Sequence, residues 1–370
     1  MSVRKIRVLV VDDSALSRRI IADSLACDPE IEVIGSASDA FVARDKILSL
    51  NPDVMTLDLE MPRLDGLTFL KLIMRHRPMP IVVLSSQTNE GSQRASEALQ
   101  CGAADVLGKP HSFYANADGA ALAQKIKAAA HARWGSVHVA PEPEPEIPPM
   151  ASSAQTQIHP RSLIVLGAST GGTEALKAVL TALPTNVPPI CVVQHIPAKF
   201  SLAFANRLNG LCAIQVREAK HGEDLTPGVA LIAPGGKHLH VKWTGKGYVS
   251  VLSEGPQVHH QRPSVDILFD SVVNAGGARH TVAALLTGMG KDGAAGMLRL
   301  RQNGAYAIAQ SEATCVVFGM PKEAIAIGAA QQVLDLPDIP GEIVRQCRRL
   351  NATAIESLVS ALSSAEPARA

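Results

Sequence analysis

Ser169 lies in Gly167-Ala168-Ser169-Thr170-Gly171, a G-x-S-x-G pattern that turns a serine hydroxyl outward on a strained corner. A glycine-rich turn of purely structural purpose has the same look. A serine nucleophile needs a base, and the base needs an orienting group. His195 follows the apolar run Ile190–Val193, and Asp292 lies in ALLTGMGKDGAAG. Ser169, His195 and Asp292 would make a triad in an order unlike the three common serine-hydrolase orders, but triads are defined by geometry rather than by order. The glycines beside Asp292 leave backbone N–H groups free, as an oxyanion hole requires. The same glycines also read as Gly288-x-Gly290-x-x-Gly293, with Glu312 placed 19 residues after Gly293. That is the spacing of a dinucleotide fingerprint, and it would make the chain an NAD-dependent oxidoreductase. A P-loop is excluded, because GASTGGT has threonine where lysine is required.

A second constellation lies in the first third of the chain. Asp12 and Asp13 follow one apolar run, Asp58 another, Ser85 and Ser86 a third, and Lys109-Pro110 a fourth. If these runs are parallel strands, three carboxylates and an ammonium converge on one sheet edge. Carboxylates so close repel unless a cation is present, and hard oxygen ligands with few neighbours suit Mg²⁺. Helix caps after strands would explain Asp12 or Asp13 singly, but not the whole set. His238-x-His240 puts two imidazoles on one face of a strand, a spacing zinc can use. No third ligand of clear spacing accompanies them, so they read as ordinary surface histidines. His259 and His260 fall in a loop, and His280 reads as structural.

The elements that must position these groups alternate. Strands are predicted at Ile6–Val11, Ile31–Ala37, Val54–Leu57, Ile81–Leu84 and Ala104–Leu107, with helical patterns between them, the first at Ala15–Cys27. Past the proline-rich PEPEPEIPPM the pattern resumes, with strands at 162–166, 189–194, 229–233, 281–286 and 305–309. Helices are predicted at 173–182, 199–209, 264–275, 293–303 and 341–362, and Leu239–Leu252 alternates around a GKG turn as an antiparallel piece. The expectation is α/β throughout, with two doubly wound domains and mainly parallel sheets. The domains are placed at 1–130 and 161–370. Residues 131–160 form a Pro/Glu-rich, extended and semi-rigid linker.

Composition narrows the function. The 35 basic and 34 acidic residues leave a net charge of +1, which gives no reason to expect nucleic acid or an anionic membrane as a partner. Aromatic residues, at 3 %, are too few for a base-stacking platform. The second domain is too large for a helix-turn-helix module and lacks a basic recognition helix. No apolar run reaches the ~18 residues of a membrane span. Position 1 leads straight into a strand, so no signal peptide is expected. The six scattered cysteines, with no C-x-x-C, fit reduced thiols in the cytoplasm.

Residues 5–130 closely resemble a flavodoxin-like response-regulator receiver, through Asp12-Asp13, Asp58 in MTLDLEMPRLDG, Ser85 and Lys109-Pro110. The resemblance implies that Asp58 accepts a phosphoryl group from the phospho-histidine of a chemotaxis kinase. Asp12, Asp13 and Asp58 would hold Mg²⁺ with the Glu60 carbonyl. Ser85, rather than Ser86, would sense the phosphoryl group, and Lys109 would pair with it. Residues 162–330 resemble the catalytic domain of the chemotaxis protein-glutamate methylesterases, through GASTGGTEA, QHIP, APGGKHLH, RPSVDILFDS, LLTGMGKDGA and the AQSE…FGMP segment. This resemblance favours the hydrolase over the oxidoreductase. It implies Ser169 as nucleophile, His195 as base, Asp292 as orienter, the Met289 N–H as oxyanion donor and Thr170 as an aid in positioning the histidine. Arg262 and the Gly171–Gly172 turn would border the cleft. The implied activity is demethylation of glutamate methyl esters, and deamidation of glutamines, on chemoreceptors, with no cofactor for hydrolysis. In the resembling family the unmodified receiver covers the catalytic cleft and inhibits it. A monomer is expected.

Overall fold

In the computed structural model, which describes residues 4–61, 64–85, 89–109, 116–132, 158–198 and 200–364, strands and helices alternate as the hydrophobic pattern predicts. The N-terminal part runs β1 (Ile6–Val11), α1 (Ala15–Ala26), β2 (Ile31–Ala37), α2 (Ala40–Leu50), β3 (Val54–Asp58), α3 (Gly66–His76), β4 (Ile81–Ser85), α4 (Asn89–Gln100), β5 (Asp105–Gly108) and α5 (Asn116–His131). Its sheet is parallel, in the order β2-β1-β3-β4-β5. Val8, Leu9, Val10 and Val11 are fully buried because both faces of the sheet carry helices. Strand order reverses between β1 and β3, and ligands of open α/β sheets bind beyond the strand ends at such a switch point. Asp12, Asp13 and Asp58 stand there.

The second part runs β6 (Leu163–Ala168), α6 (Gly172–Thr181), β7 (Ile190–Gln194), α7 (Phe200–Asn209), β8 (Gln215–Glu218), β9 (Val229–Ile232), β10 (His238–Trp243), β11 (Tyr248–Ser253), α8 (Val265–Asn274), β12 (Thr281–Leu285), α9 (Ala294–Gln302), β13 (Tyr306–Gln310), α10 (Met320–Ala326), β14 (Gln332–Leu334) and α11 (Ile339–Ser364). Seven parallel strands order as β14-β13-β12-β6-β7-β9-β8, and β10 and β11 form a separate antiparallel ribbon. Here the switch point lies between β6 and β12. Three elements had no sequence signal. β8 and β14 are strands of only four and three residues, and α10 is a two-turn helix opened by Met320-Pro321.

The two parts touch. α4 packs against α7, and Ala95 and Ala98 belong to the same apolar cluster as Phe200 and Phe204. Most of the predicted Pro/Glu linker, 133–157, lies outside the described residues, as does Ser86. All six cysteines are free thiols. Burial pushes the Cys347 and Cys315 thiols up to about 12, so they stay protonated. Among the described residues, no helix is long and apolar enough to cross a membrane.

Candidate active site and phosphoacceptor site

The register of neighbouring strands brings Ser169 and His195 together. Ala168 of β6 pairs with Gln194 of β7, so the next residue of each strand leaves the sheet side by side. The His195 N–H donates to the Ala168 carbonyl at 3.1 Å. Gln194 Nε2 donates to the Ser169 carbonyl at 2.8 Å and fixes the turn from behind. That turn needs Gly172, because a Cβ there would lie 2.2 Å from Gln194 Oε1 and 2.6 Å from Ala168 Cβ. The β12–α9 loop completes the group from the other side of β6, with the Ser169 N–H donating to the Thr287 carbonyl at 3.0 Å.

Asp292 reaches across this loop to His195, with Nε2 to Oδ2 at 2.7 Å. Both side chains are almost wholly buried. Burial alone would raise the Asp292 carboxyl. The hydrogen bond and charge of His195, with the Asp266 N–H and the Ser264 hydroxyl, override it and hold the group below the usual carboxylate range. With Nε2 facing Asp292, the ring nitrogen left for the serine is Nδ1. It is buried and has no hydrogen-bond partner among the described residues. Ser169 Oγ is thus not hydrogen-bonded to Nδ1, although the two residues leave adjoining strand ends.

The Gly288–Gly293 loop is pinned from below. The Gly288 N–H donates to Val317, and the Gly319 and Met320 N–H groups donate to Gly288, at 3.0, 3.0 and 2.7 Å. Thr287 Oγ1 ties the Thr170 carbonyl, at 3.0 Å, to the Val317 N–H, at 2.9 Å. The Met289 N–H has no acceptor among the described residues, and the preceding Gly288 lies against Ser169. The dinucleotide reading finds no support. Gly288 is required for close approach, because a Cβ there would lie 2.7 Å from Ser169 Cβ and 2.4 Å from Met320 Sδ. The whole motif is a loop wrapped round the serine, and α9 begins only after Gly293.

Several residues stand elsewhere than expected. The Thr170 hydroxyl does not reach His195. It donates to Asp105 Oδ2 of β5, in the N-terminal part, at 2.8 Å in a buried contact. Asp105 is held in turn by Lys125 at 2.7 Å. Arg262 is tied to the Glu254 and Gly255 carbonyls at 3.1 and 3.0 Å, its Nε buried without a partner, so it acts as a loop brace. Gly171 has a φ of +76°, and a Cβ there would lie 2.5 Å from Val316 Cβ. His238 is not a surface histidine: it is 2 % exposed, with Nε2 on the Pro256 carbonyl and Nδ1 on the Ser264 N–H. His240 is half-buried and its Nε2 contacts Ser253 Oγ at 2.8 Å. His280 closes a short turn before β12 and stacks on His159. His259, Asp266 and Asp292 lie close enough to resemble a metal ligand set, but hydrogen-bond donors already fill both Asp292 oxygens.

In the N-terminal part Asp12, Asp13 and Asp58 offer oxygens within 4.8 Å of one another. Lys109 Nζ lies 2.6 Å from Asp58 Oδ2 and 3.4 Å from Asp12 Oδ2. Burial alone would lower the Lys109 ammonium, but the Asp58 hydrogen bond and the Asp58 and Asp12 charges hold it raised. Burial, reinforced by the Asp58 charge, raises the Asp12 carboxyl against the pull of Lys109. Asp12 Oδ2 is buried, and its one cationic neighbour among the described residues is the Lys109 ammonium, too poorly placed for a hydrogen bond. The Glu60 N–H donates to Asp58 Oδ1 at 3.0 Å. Ser85 is buried at the end of β4, and its carbonyl accepts the Lys109 N–H at 2.9 Å.

Residues 164–343 match the family model of the CheB methylesterase, and residues 8–115 match that of the response regulator receiver domain. A protein-glutamate methylesterase/protein-glutamine glutaminase 2 of Syntrophus aciditrophicus is 51 % identical over 92 % of this chain and 99 % of its own length. A protein of the same name from Cupriavidus pinatubonensis is 49 % identical over 91 % of this chain and 94 % of its own. The crystal structure of the Thermotoga maritima CheB methylesterase catalytic domain is 39 % identical, covers 50 % of this chain and 98 % of that one, and has a TM-score of 0.49.

Proposed function

We propose that this chain, which belongs to the protein-glutamate methylesterase/protein-glutamine glutaminase family, hydrolyses glutamate methyl esters and deamidates glutamines on chemoreceptors. The observation that carries this reading is the buried 2.7 Å contact of His195 Nε2 with Asp292, beside a serine on the adjoining strand end. Ser169 Oγ attacks the γ-carbonyl of the side-chain ester, and His195 Nδ1 takes its proton. The Met289 N–H faces the oxygen that gains charge. The intermediate collapses, His195 returns the proton, and methanol leaves. Water then repeats the sequence on the acyl-enzyme and frees glutamate and Ser169. With a glutamine substrate the leaving group is ammonia. Wild-type and Ser169→Ala chains should be compared for methanol release from methylated chemoreceptor membranes. Equal rates would sink the reading.

The receiver domain supplies control. Asp58 is the phosphoacceptor for a histidine kinase. Asp12, Asp13 and Asp58, whose oxygens lie within 4.8 Å of one another, would hold a Mg²⁺ ion with the Glu60 carbonyl, and the ion when bound would supply charge neutralisation for phosphoryl transfer. Lys109 and Ser85 then engage the phosphoryl group. The Thr170–Asp105 bond supports inhibition by occlusion, since it ties the receiver to the residue after the nucleophile while Ser169 is only 7 % exposed. β5 begins at Asp105 and Lys109 follows its end, so a movement of Lys109 toward phospho-Asp58 bears on this contact. Such a chain works in the cytoplasm, where kinase and receptor signalling helices meet.

A further inference from the structure

Ser264 stands at the N-cap of helix α8, and a serine in that place ordinarily turns its oxygen back to accept N–H groups of the first turn. Ser264 does not: its side chain makes no capping hydrogen bond. Asp292 caps the helix instead, from 28 positions away in sequence. Its Oδ2 accepts the Val265 N–H at 2.8 Å and its Oδ1 accepts the Asp266 N–H at 3.0 Å. The positive end of α8 therefore faces the carboxylate. The displaced Ser264 hydroxyl donates to Asp292 Oδ1 at 2.7 Å, in a position with no solvent exposure.

Ser264 is itself held. Its N–H donates to His238 Nδ1 at 3.2 Å, and His238 Nε2 lies 2.9 Å from the Pro256 carbonyl. Since a carbonyl only accepts, His238 Nε2 carries the proton and Nδ1 is the acceptor. A neutral imidazole locked in one tautomer thus fixes the backbone of the residue that fixes Asp292. Asp292 can rotate about its side-chain bonds, and His195 alone would not prevent this. Ser264 and the Asp266 N–H hold Oδ1, and the Val265 N–H holds Oδ2, so that Oδ2 stays on His195.

We propose that Ser264, braced by His238, is a positioning residue of the esterase: it holds Asp292 charged and oriented, and acts on the reaction only through His195. The inference rests on the hydrolase reading above. Its test uses the full chain and reads Ser169 labelling by a fluorophosphonate, which needs no receptor, beside methanol release from methylated chemoreceptors. Ser264→Ala should slow both about tenfold with KM unchanged, and Ser264→Thr, which keeps the hydroxyl, should restore most of the rate. Ser264→Cys keeps the volume with a weak donor and stands in if the alanine variant does not fold. In a His195→Ala background the same change should cost nothing further, because residues acting as a unit are not additive. A Ser264→Ala rate equal to wild type, or an undiminished tenfold loss without His195, would overturn the inference. Normal labelling without methanol release would instead count against the substrate, and leave Ser264 in its role.

Discussion

Thr170→Val removes one hydroxyl from the contact between the receiver and the catalytic loop and leaves the phosphoacceptor untouched. In the wild type that hydroxyl donates to Asp105 Oδ2 at 2.8 Å, away from water. The other oxygen, Oδ1, keeps Lys125 at 2.7 Å and the Val106 N–H at 2.8 Å, so the variant creates no unpaired buried charge. A hydrogen bond to a charged group contributes about 1.5–3 kcal/mol net. At ~1.4 kcal/mol per decade, docking of the receiver weakens roughly ten- to a hundredfold. Thr170 adjoins Ser169, so any direct effect of valine on the chemistry must be separated from release. The assay is therefore a ratio: methanol release with the kinase and ATP, divided by release without them. A direct effect enters both rates and cancels. The ratio should fall toward one because the unphosphorylated chain is already open. A ratio unchanged from wild type would refute the reasoning and leave control to recruitment or direct activation.

Three further outcomes are expected. Ser169→Ala and His195→Ala should each lower methanol turnover by at least ~10³, and Asp292→Ala by less, while a Ser169→Ala chain with wild-type turnover would refute the nucleophile. Asp58→Asn should hold the intact chain at its unphosphorylated rate with kinase and ATP present, and chelating Mg²⁺ should do the same to wild type without lowering that rate; activation surviving either change would refute the phosphoacceptor assignment. His159 and His280 stack at 4.2 Å; burial first, then neighbouring cationic groups including Arg161, lower both imidazoles in the fold. Their contribution to stability is present above the ordinary histidine value of about 6.5 and is lost as pH falls through the lowered folded values. The melting temperature should drop below pH ~6.5, less steeply in a His159→Gln/His280→Gln chain, and an equal slope in that chain would count against the stack.

Much of this architecture was legible because each strand reads as a short apolar run ended by a polar group. Asp12, Asp58, Ser169 and His195 all stand at such ends, and a parallel sheet gathers strand ends on one edge. What escaped was side-chain partnership. Nothing in RPSVD shows that Asp292 would displace Ser264 as the cap of α8, because that bond crosses 28 residues. His238 looked like a surface histidine because the strand's alternation does not say which face is covered; α8 covers it. The resemblance places Thr170 with the histidine, but its hydroxyl is drawn to a carboxylate 65 residues earlier in the chain. β8 and β14 lie at the sheet edges and span only four and three residues, too short for a periodicity to show.

The most direct measurement is the site of covalent labelling. The intact chain, with Mg²⁺ and a small acyl phosphate to phosphorylate the receiver, would be exposed to a fluorophosphonate, digested and mapped by mass spectrometry. One modified residue, Ser169, is expected, with loss of the modification in His195→Ala. A label on any other residue, or a Ser169 that reacts equally well without His195, would contradict it.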